Sequence, residues 1–156
     1  MDDVRIRTAA PDDAEALAAA YRDAYRESRE FGFPMKAEEA TAGEVEVWIR
    51  DHRVFVAEAE GTIVGGVRLE AAGDDTLQLS RLAVREGWKG MGIGSRLLKH
   101  AERAAREDGY GSMRLTTPEN HPYLVEFYRS RGYAVVGDYP LEYREYDEVV
   151  LEKRLG

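Results

Sequence analysis

The chain has 156 residues, of which 44% are hydrophobic, and it carries a formal net charge of −8 with no cysteine. This length and apolar content predict one domain with a single core over residues 1–156. The acidic balance argues against nonspecific nucleic-acid binding, and the absence of cysteine excludes disulfides, thiolate metal sites and cysteine nucleophiles.

The first 50 residues predict a short strand followed by two helices. Three residues alternate in the strand: Val4, Ile6 and Thr8. Pro11 and the two aspartates after it are typical of a helix start. Apolar residues then recur at spacings of three and four: Ala14, Leu17, Ala18, Tyr21 and Tyr25. Thr41 and Glu44 predict a capping box at the start of the second helix.

The middle of the chain predicts an antiparallel meander. Val54 to Glu60 and Thr62 to Ala71 are β-rich and are separated by Gly61, and Asp74 leads into the next strand. In that strand the apolar phase changes, from the odd positions 77 and 79 to the even positions 82 and 84. One extra residue accounts for the change, so we predict a β-bulge near Ser80 and Arg81. The alternative is a strand buried on both faces.

A glycine-rich turn follows this strand and opens directly into an amphipathic helix. Three glycines, Gly90, Gly92 and Gly94, lack the Cβ atoms that would hinder a sharp bend or a close approach to a ligand. The first amides of the helix have no intrahelical partners and favour an anion. The turn therefore predicts a phosphate site, the alternative being a plain connection.

The spacing of the glycines excludes two common phosphate motifs. A dinucleotide-binding GxGxxG motif would need its third glycine at Ser95 or Leu97. A P-loop read from Gly87 would need lysine where the chain has Ile93.

The second half predicts a helix over 94–108, a parallel strand, a short helix and a last strand. The long helix has a core face of five residues: Ile93, Leu97, Ala101, Ala104 and Ala105. Gly109 ends it, and a right-handed crossover makes Ser112 to Thr116 parallel to the bulged strand. A short amphipathic helix follows, in which Leu124, Phe127 and Tyr128 are core residues and Gly132 is the C-cap. The last strand lies near Val149 to Leu151.

Two segments resemble the GNAT superfamily of acyl-CoA-dependent N-acyltransferases. Its pyrophosphate loop, Gln/Arg-x-x-Gly-x-Gly/Ala after a bulged strand, is similar to Lys89–Gly94, where Lys89 replaces Gln/Arg and keeps the positive charge. The family's segment after the fifth strand resembles 117–133, with matches at Asn120, Phe127-Tyr128 and Gly132-Tyr133, although the interval from Asn120 to Tyr128 is one residue longer than usual. The resemblance implies an α/β (α+β) fold: a single GNAT-like domain with a mixed central sheet of about six to seven strands, a bulged fourth strand and flanking helices.

The resemblance also implies the reaction and its residues. A neutral amine attacks the thioester of acetyl-CoA directly, and the thiolate of CoA leaves. Main-chain groups of Leu82 and Val84 hold the thioester and pantetheine, the Leu82 amide donates to the oxyanion, and Tyr128 protonates the thiolate. The other implied cofactor-binding residues are Lys89, Gly90, Gly92, Gly94, Ser95 and Asn120. A non-catalytic acyl-CoA-binding or sensing module is the alternative function, and a structural partner protein is a third.

The general base is left open, because Gln78 stands where one branch of the family carries a catalytic glutamate. Glu58, Glu60, Glu70 or a chain of waters could replace it, and each glutamate could equally be a solvated strand residue.

The acceptor amine is also open between a small molecule and a peptide N-terminus. Residues 29–36 and 138–146 mix acids with aromatics and predict an acidic aromatic pocket for a cationic amine, or else a salt-adapted surface. Its proposed members are Glu27, Glu30, Phe31, Phe33, Tyr139, Glu142, Tyr143 and Glu145.

The remaining expectations concern partners and location. The three histidines, His52, His100 and His121, are too scattered to predict a metal site, and His100 is predicted to be solvated. No apolar run approaches the ~20 residues that cross a bilayer, and the acidic start at 1–4 lacks a signal-peptide pattern. We expect a cytoplasmic monomer or homodimer that binds acetyl-CoA and an amine and contacts neither nucleic acid nor membrane. The excess of arginine over lysine and the many acids suggest a halophilic source.

Overall fold

The computed structural model describes residues 4–30, 40–139 and 147–156. These residues form one mixed sheet of seven strands with helices on both faces, as the sequence predicts. The strands are β1 (Arg5–Thr8), β2 (Arg53–Ala59), β3 (Thr62–Ala71), β4 (Thr76–Val84), β5 (Ser112–Pro118), β6 (Ala134–Tyr139) and β7 (Glu148–Arg154). The helices are α1 (Ala14–Glu30), α2 (Ala42–Asp51), α3 (Ile93–Glu107) and α4 (Leu124–Arg129), with short 3-10 turns at Pro11–Asp13 and Glu86–Trp88. None of the helices in the described ranges is long and apolar enough to span a bilayer.

The order of the seven described strands is β1-β2-β3-β4-β5-β7-β6, and among them only the β4–β5 pair is parallel. The meander, the parallel crossover and the last strand are therefore confirmed. The sequence pattern predicts no strand at Ala134–Tyr139, but these residues form β6 at the edge of the sheet, and β7 lies between β6 and β5. The β4–β5 pairing covers only Thr76 to Gln78 against Ser112 to Arg114. The two strands separate beyond these residues, and this separation leaves room for a ligand.

The helix ends follow local rules. The predicted capping box is confirmed: the Glu44 amide donates to Thr41 Oγ1 at 3.2 Å, and the Thr41 amide donates to Glu44 Oε1 at 3.0 Å. The helix predicted at 94–108 begins at Ile93 and ends at Glu107, and Gly109 follows with a φ of 88°. His100 on this helix is half-buried with its ring 4.5 Å from that of Phe55, so the expectation of a solvated histidine is wrong.

Helix α1 packs very closely on β3 because the strand residue that faces it is Gly66. A Cβ atom on Gly66 would lie 2.6 Å from Cδ1 of Leu17. The close approach brings the apolar face of α1, with Tyr21 buried and Tyr25 half-buried, against β3 and β4.

The predicted bulge is present in β4. Gly66 pairs with Ala83 and Arg68 pairs with Ser80, so two β4 residues, Arg81 and Leu82, oppose the single residue between them on β3. Four apolar residues of β4 pack on the α3 side of the sheet: Leu77, Leu79, Leu82 and Val84. Ala83 packs on the other side. Because of the extra residue, the leucines before the bulge (77 and 79) and the apolar residues after it (82 and 84) lie on the same face of the sheet. This explains the phase change in the sequence.

Candidate active site

A cavity of about 750 Å³ lies where β4 and β5 separate. Its wall includes residues of α1, β4, the glycine-rich turn, the first turn of α3, β5, α4 and β7. Eight of the nine predicted site residues line it: Leu82, Val84, Lys89, Gly90, Gly92, Gly94, Ser95 and Tyr128. The ninth, Asn120, is exposed and does not belong to the lining, whereas its neighbour His121 does. The fold therefore brings together residues that lie up to 46 positions apart, counting from Leu82 to Tyr128.

The glycine-rich turn forms one end of the cavity. Gly90 and Gly92 have φ values of 83° and 79°, a backbone conformation that other residues seldom adopt. Gly92 is the N-cap of α3, and its carbonyl accepts from the amide of Arg96 at 3.1 Å. Gly94 differs, because its φ is not positive and a Cβ there would lie at an ordinary 3.7 Å from Phe127 Cζ. Backbone conformation requires only the first two glycines.

An arginine that the sequence analysis missed stands at this end. Arg131 Nε donates to Ser95 Oγ at 2.8 Å, and its guanidinium lies 3.8 Å from the centroid of the Phe127 ring. Lys89 also lines the cavity. Two cationic side chains and the start of α3 thus surround the same space, which is suited to a phosphate group.

The bulge forms the middle of the cavity wall and is held by helix α1. The hydroxyl of Tyr25 donates to the main-chain carbonyl oxygen of Leu82 at 2.9 Å. Burial raises the pKa of Tyr25 to about 12, so this hydroxyl keeps its proton and remains a donor near neutral pH. The sequence analysis placed Tyr25 only on the core face of its helix.

Tyr128 lies opposite, and it is 6% exposed. Its ring packs edge-on against Phe127 and Tyr133, with centroids 5.1 Å and 5.7 Å away. Burial raises the pKa of Tyr128 well above its usual value, and the neighbouring Tyr25 raises this pKa further. No described residue hydrogen-bonds to its hydroxyl. The Tyr128 hydroxyl therefore keeps its proton near neutral pH.

His121 lines the cavity, but its geometry is that of a helix cap. Its Nδ1 accepts from the amides of Tyr123 and Leu124, at 3.3 Å and 3.4 Å, just at the start of α4. In the neutral ring the proton must then be on Nε2. With one nitrogen accepting and the other protonated, His121 is poorly suited to take a proton from a substrate.

Among the described residues, Glu148 is the carboxylate that lines the cavity. It is the first residue of β7 and is 9% exposed. The three glutamates considered from the sequence lie elsewhere. Glu58 binds Arg7 at 3.1 Å, Glu60 is exposed in the β2–β3 turn, and Glu70 lies 3.6 Å from Arg68.

The predicted acidic aromatic pocket falls mainly outside the described residues. Phe31, Phe33, Glu142, Tyr143 and Glu145 are not described, nor are the side chains of Glu27 and Tyr139, while Glu30 is exposed at the end of α1. In the described ranges no group of three or more histidine, aspartate or glutamate side chains is arranged to hold a metal ion.

The chain is similar to several known N-acetyltransferases. The S-alkylcysteine N-acetyltransferase of Bacillus subtilis (strain 168) is 26% identical over 144 residues, which are 86% of this chain and 81% of that protein. The S-(2-succino)cysteine N-acetyltransferase of the same organism is 28% identical over 145 residues, 88% of both chains. The crystal structure of the PaiA N-acetyltransferase from Thermoplasma acidophilum in complex with coenzyme A superposes with a TM-score of 0.84, at 20% identity, and covers 97% of this chain and 99% of that one.

The family assignment rests on the length of the match to a family model. The model of the acetyltransferase (GNAT) family matches residues 16–133, which run from α1 through the bulge and the glycine-rich turn to Tyr133. The chain therefore belongs to the GNAT family of acetyltransferases, and it transfers an acetyl group from acetyl-CoA to an amine.

Proposed function

We propose that the acceptor is the α-amino group of a small amino acid, with S-substituted cysteines as the first candidates. One observation carries the proposal. The two B. subtilis relatives align with more than four fifths of this chain, and both are named for acetylation of an S-substituted cysteine. Their substrates share an α-amine, an α-carboxylate and a thioether. A peptide N-terminus is the competing acceptor.

The turn and the start of α3 would hold the pyrophosphate of acetyl-CoA. The positive φ of Gly90 and Gly92 exposes main-chain amides, and Lys89 supplies positive charge. Arg131, fixed on Ser95 and Phe127, adds a second cation. The exposed position of Asn120, outside the cavity lining, gives no support to its predicted role in cofactor binding.

The bulge would orient the thioester. The amide of Leu82 is proposed to donate to the oxygen on which negative charge develops, and main-chain groups of Val84 would hold the pantetheine arm. Tyr25 supports this arrangement because it fixes the orientation of the Leu82 carbonyl. Preorganised donors of this kind stabilise the transition state because they need not reorient as charge develops.

Two proton transfers complete the reaction. The amine nitrogen forms a bond to the acetyl carbon, and the bond from that carbon to sulfur breaks. Tyr128, which keeps its proton because its pKa is raised, would give it to the departing thiolate. Glu148 would accept the proton lost by the amine, directly or through a water.

The test is a measurement of CoA release with purified protein and a panel of acceptors. The panel contains S-methyl-L-cysteine, S-(2-succino)-L-cysteine, 2-(methylthio)ethylamine and a peptide with a free N-terminus. We expect the S-substituted cysteines to give the highest kcat/KM. A peptide that outcompetes every amino acid would instead favour N-terminal acetylation.

A further inference from the structure

Arg81 at the β4 bulge is in an unusual state that the reaction described above does not use. Its φ is 55°, at a bulge position where glycine is typical. Arg81 lines the cavity, and its Nε is buried with no hydrogen-bond partner among the described residues. A strained backbone and an unpaired buried donor both destabilise the folded protein, so their coincidence at one cavity residue points to a ligand.

A second arginine increases the positive charge at this place. The guanidinium carbons of Arg68 and Arg81 lie 4.8 Å and 5.4 Å from the centroid of the same Trp48 ring. Burial, and then the charge of Arg81, lower the pKa of Arg68. Two arginines thus share one indole ring on the α2 side of the sheet.

The two arginines differ in how they are paired. Arg68 Nε donates to Ser80 Oγ at 3.1 Å, and its terminal nitrogen is 3.6 Å from a carboxylate oxygen of Glu70. Arg81 forms no ion pair or hydrogen bond with any described residue. The excess positive charge therefore belongs to the arginine that reaches the cavity, and an anionic ligand would neutralise it.

The position of Arg81 along the chain identifies which anion fits. It directly precedes Leu82, whose amide is proposed to hold the thioester oxygen, and both residues line the same cavity. In an α-amino acid the carboxylate is bonded to the carbon that carries the attacking amine. Its anchor must therefore lie in the same cavity as the thioester, and Arg81 is a cationic residue in that position.

We propose that Arg81 binds the α-carboxylate of the acceptor amino acid, with Arg68 adding positive charge beside it. The inference rests on the proposed function, in which an α-amine is acetylated in this cavity. Arg81 is then a specificity-determining residue, which selects amino acids over simple amines of the same shape.

The experiment compares S-methyl-L-cysteine with 2-(methylthio)ethylamine, which lacks only the carboxylate. For Arg81→Gln we expect kcat/KM for the amino acid to fall about tenfold to a hundredfold, the range for loss of a charge-assisted hydrogen bond, mainly through KM. The kcat/KM for 2-(methylthio)ethylamine and the KM of acetyl-CoA should not change. Arg81→Lys should recover part of the loss because it restores the charge without the planar fork.

Two further variants keep the result interpretable. Arg114→Gln is the matched control, since Arg114 also has a buried Nε without a partner but lies on β5 outside the cavity lining. Arg114→Gln should have the same kcat/KM for both acceptors as the unaltered protein. Arg81→Gly suits the positive φ, so it should fold and should show the same loss of selectivity as Arg81→Gln.

Three results would overturn the assignment. If kcat/KM in Arg81→Gln fell equally for both acceptors, Arg81 would be a structural residue. If kcat/KM for the amino acid did not fall, Arg81 would not belong to the acceptor site. A raised KM for acetyl-CoA alone would place it on the cofactor. Failure of the unaltered protein to acetylate either compound would instead refute the proposed function, and the carboxylate site with it.

Discussion

The hydroxyl of Tyr25 in α1 and the main-chain carbonyl of Leu82 in β4 are joined by a hydrogen bond of 2.9 Å across 57 residues of sequence. This bond ties the first helix to the bulge that interrupts the central sheet. Helix α1 can reach the bulge because Gly66, without a side chain, lets it lie close to β3. The first helix therefore helps to shape the proposed thioester site although it lies outside the glycine-rich motif.

Removing this hydroxyl should affect both stability and turnover. Tyr25→Phe leaves the Leu82 carbonyl without its donor, and we expect a loss of about 1 kcal/mol in the free energy of unfolding. Turnover should fall about threefold to tenfold as the bulge loses its fixed orientation. Denaturant unfolding and steady-state kinetics measure the two effects.

Tyr21→Phe is the matched control. The Tyr21 hydroxyl is buried without a hydrogen-bond partner, and Tyr21 does not line the cavity. Its removal should leave the free energy of unfolding unchanged or slightly increased. If both variants lost the same stability, the bond to Leu82 would have no special role.

Tyr128→Phe should separate chemistry from binding. The phenylalanine ring keeps the packing on Phe127 and Tyr133, so the melting temperature should change little. Loss of a general acid typically lowers the rate a hundredfold or more, and we expect kcat to fall by about that factor with the affinity for acetyl-CoA nearly unchanged. Because the pKa of Tyr128 is raised, its acid form persists through pH 8, and kcat of the unaltered protein should not decline between pH 7 and 9. Unchanged turnover in Tyr128→Phe would remove the tyrosine from the reaction.

Gly92→Val should weaken acetyl-CoA binding at least tenfold in a calorimetric titration. No atom lies within 4 Å of an added Cβ, so the effect comes from forcing a β-branched residue into a φ of 79° and from filling the space beside the start of α3. Gly43→Ala is the control, because Gly43 lies in α2 with open space around it and without positive φ. Normal affinity in a folded Gly92→Val protein would refute the phosphate site.

Glu148→Gln tests the proposed base. We expect kcat to fall about tenfold to a hundredfold, with binding of acetyl-CoA unchanged, because the amide cannot accept a proton. Glu152→Gln alters the same strand outside the cavity, where Glu152 lies 3.4 Å from Arg114, and should keep full activity. Equal rates in Glu148→Gln and Glu152→Gln would mean that water, and not Glu148, takes the proton from the amine.

The pair formed by Arg7 and Asp13 predicts an acid-dependent loss of stability. The two guanidinium bonds, at 2.8 Å and 3.0 Å, lower the pKa of Asp13 below its ordinary 3.8. A carboxyl group whose pKa is lowered by folding stabilises the protein fully at pH values above its pKa in the unfolded chain. This stabilisation disappears as the pH falls through its pKa in the folded protein. Asp13→Asn should therefore cost about 1 to 2 kcal/mol of unfolding free energy at pH 7 and less at pH 2. Melting curves at both pH values measure this, and a constant difference would contradict it.

The sequence determined the features that depend on neighbouring residues. The shift of the apolar phase between Leu79 and Leu82 located the bulge, because side chains alternate strictly along a strand. Glycine at 90 and 92 located the turn, because few other residues adopt positive φ. Thr41 and Glu44 located a helix start through bonds made within three residues.

Tertiary structure alone decided which distant residues share the cavity. The bond from Tyr25 to Leu82, the entry of Glu148 from β7 and the place of Arg81 beside Arg68 and Trp48 have no local pattern. The position of β7 between β5 and β6 likewise follows from pairing over long separations. Such contacts depend on how closely α1 approaches β3 and where β4 and β5 separate, and these distances are fixed only when the whole core is packed.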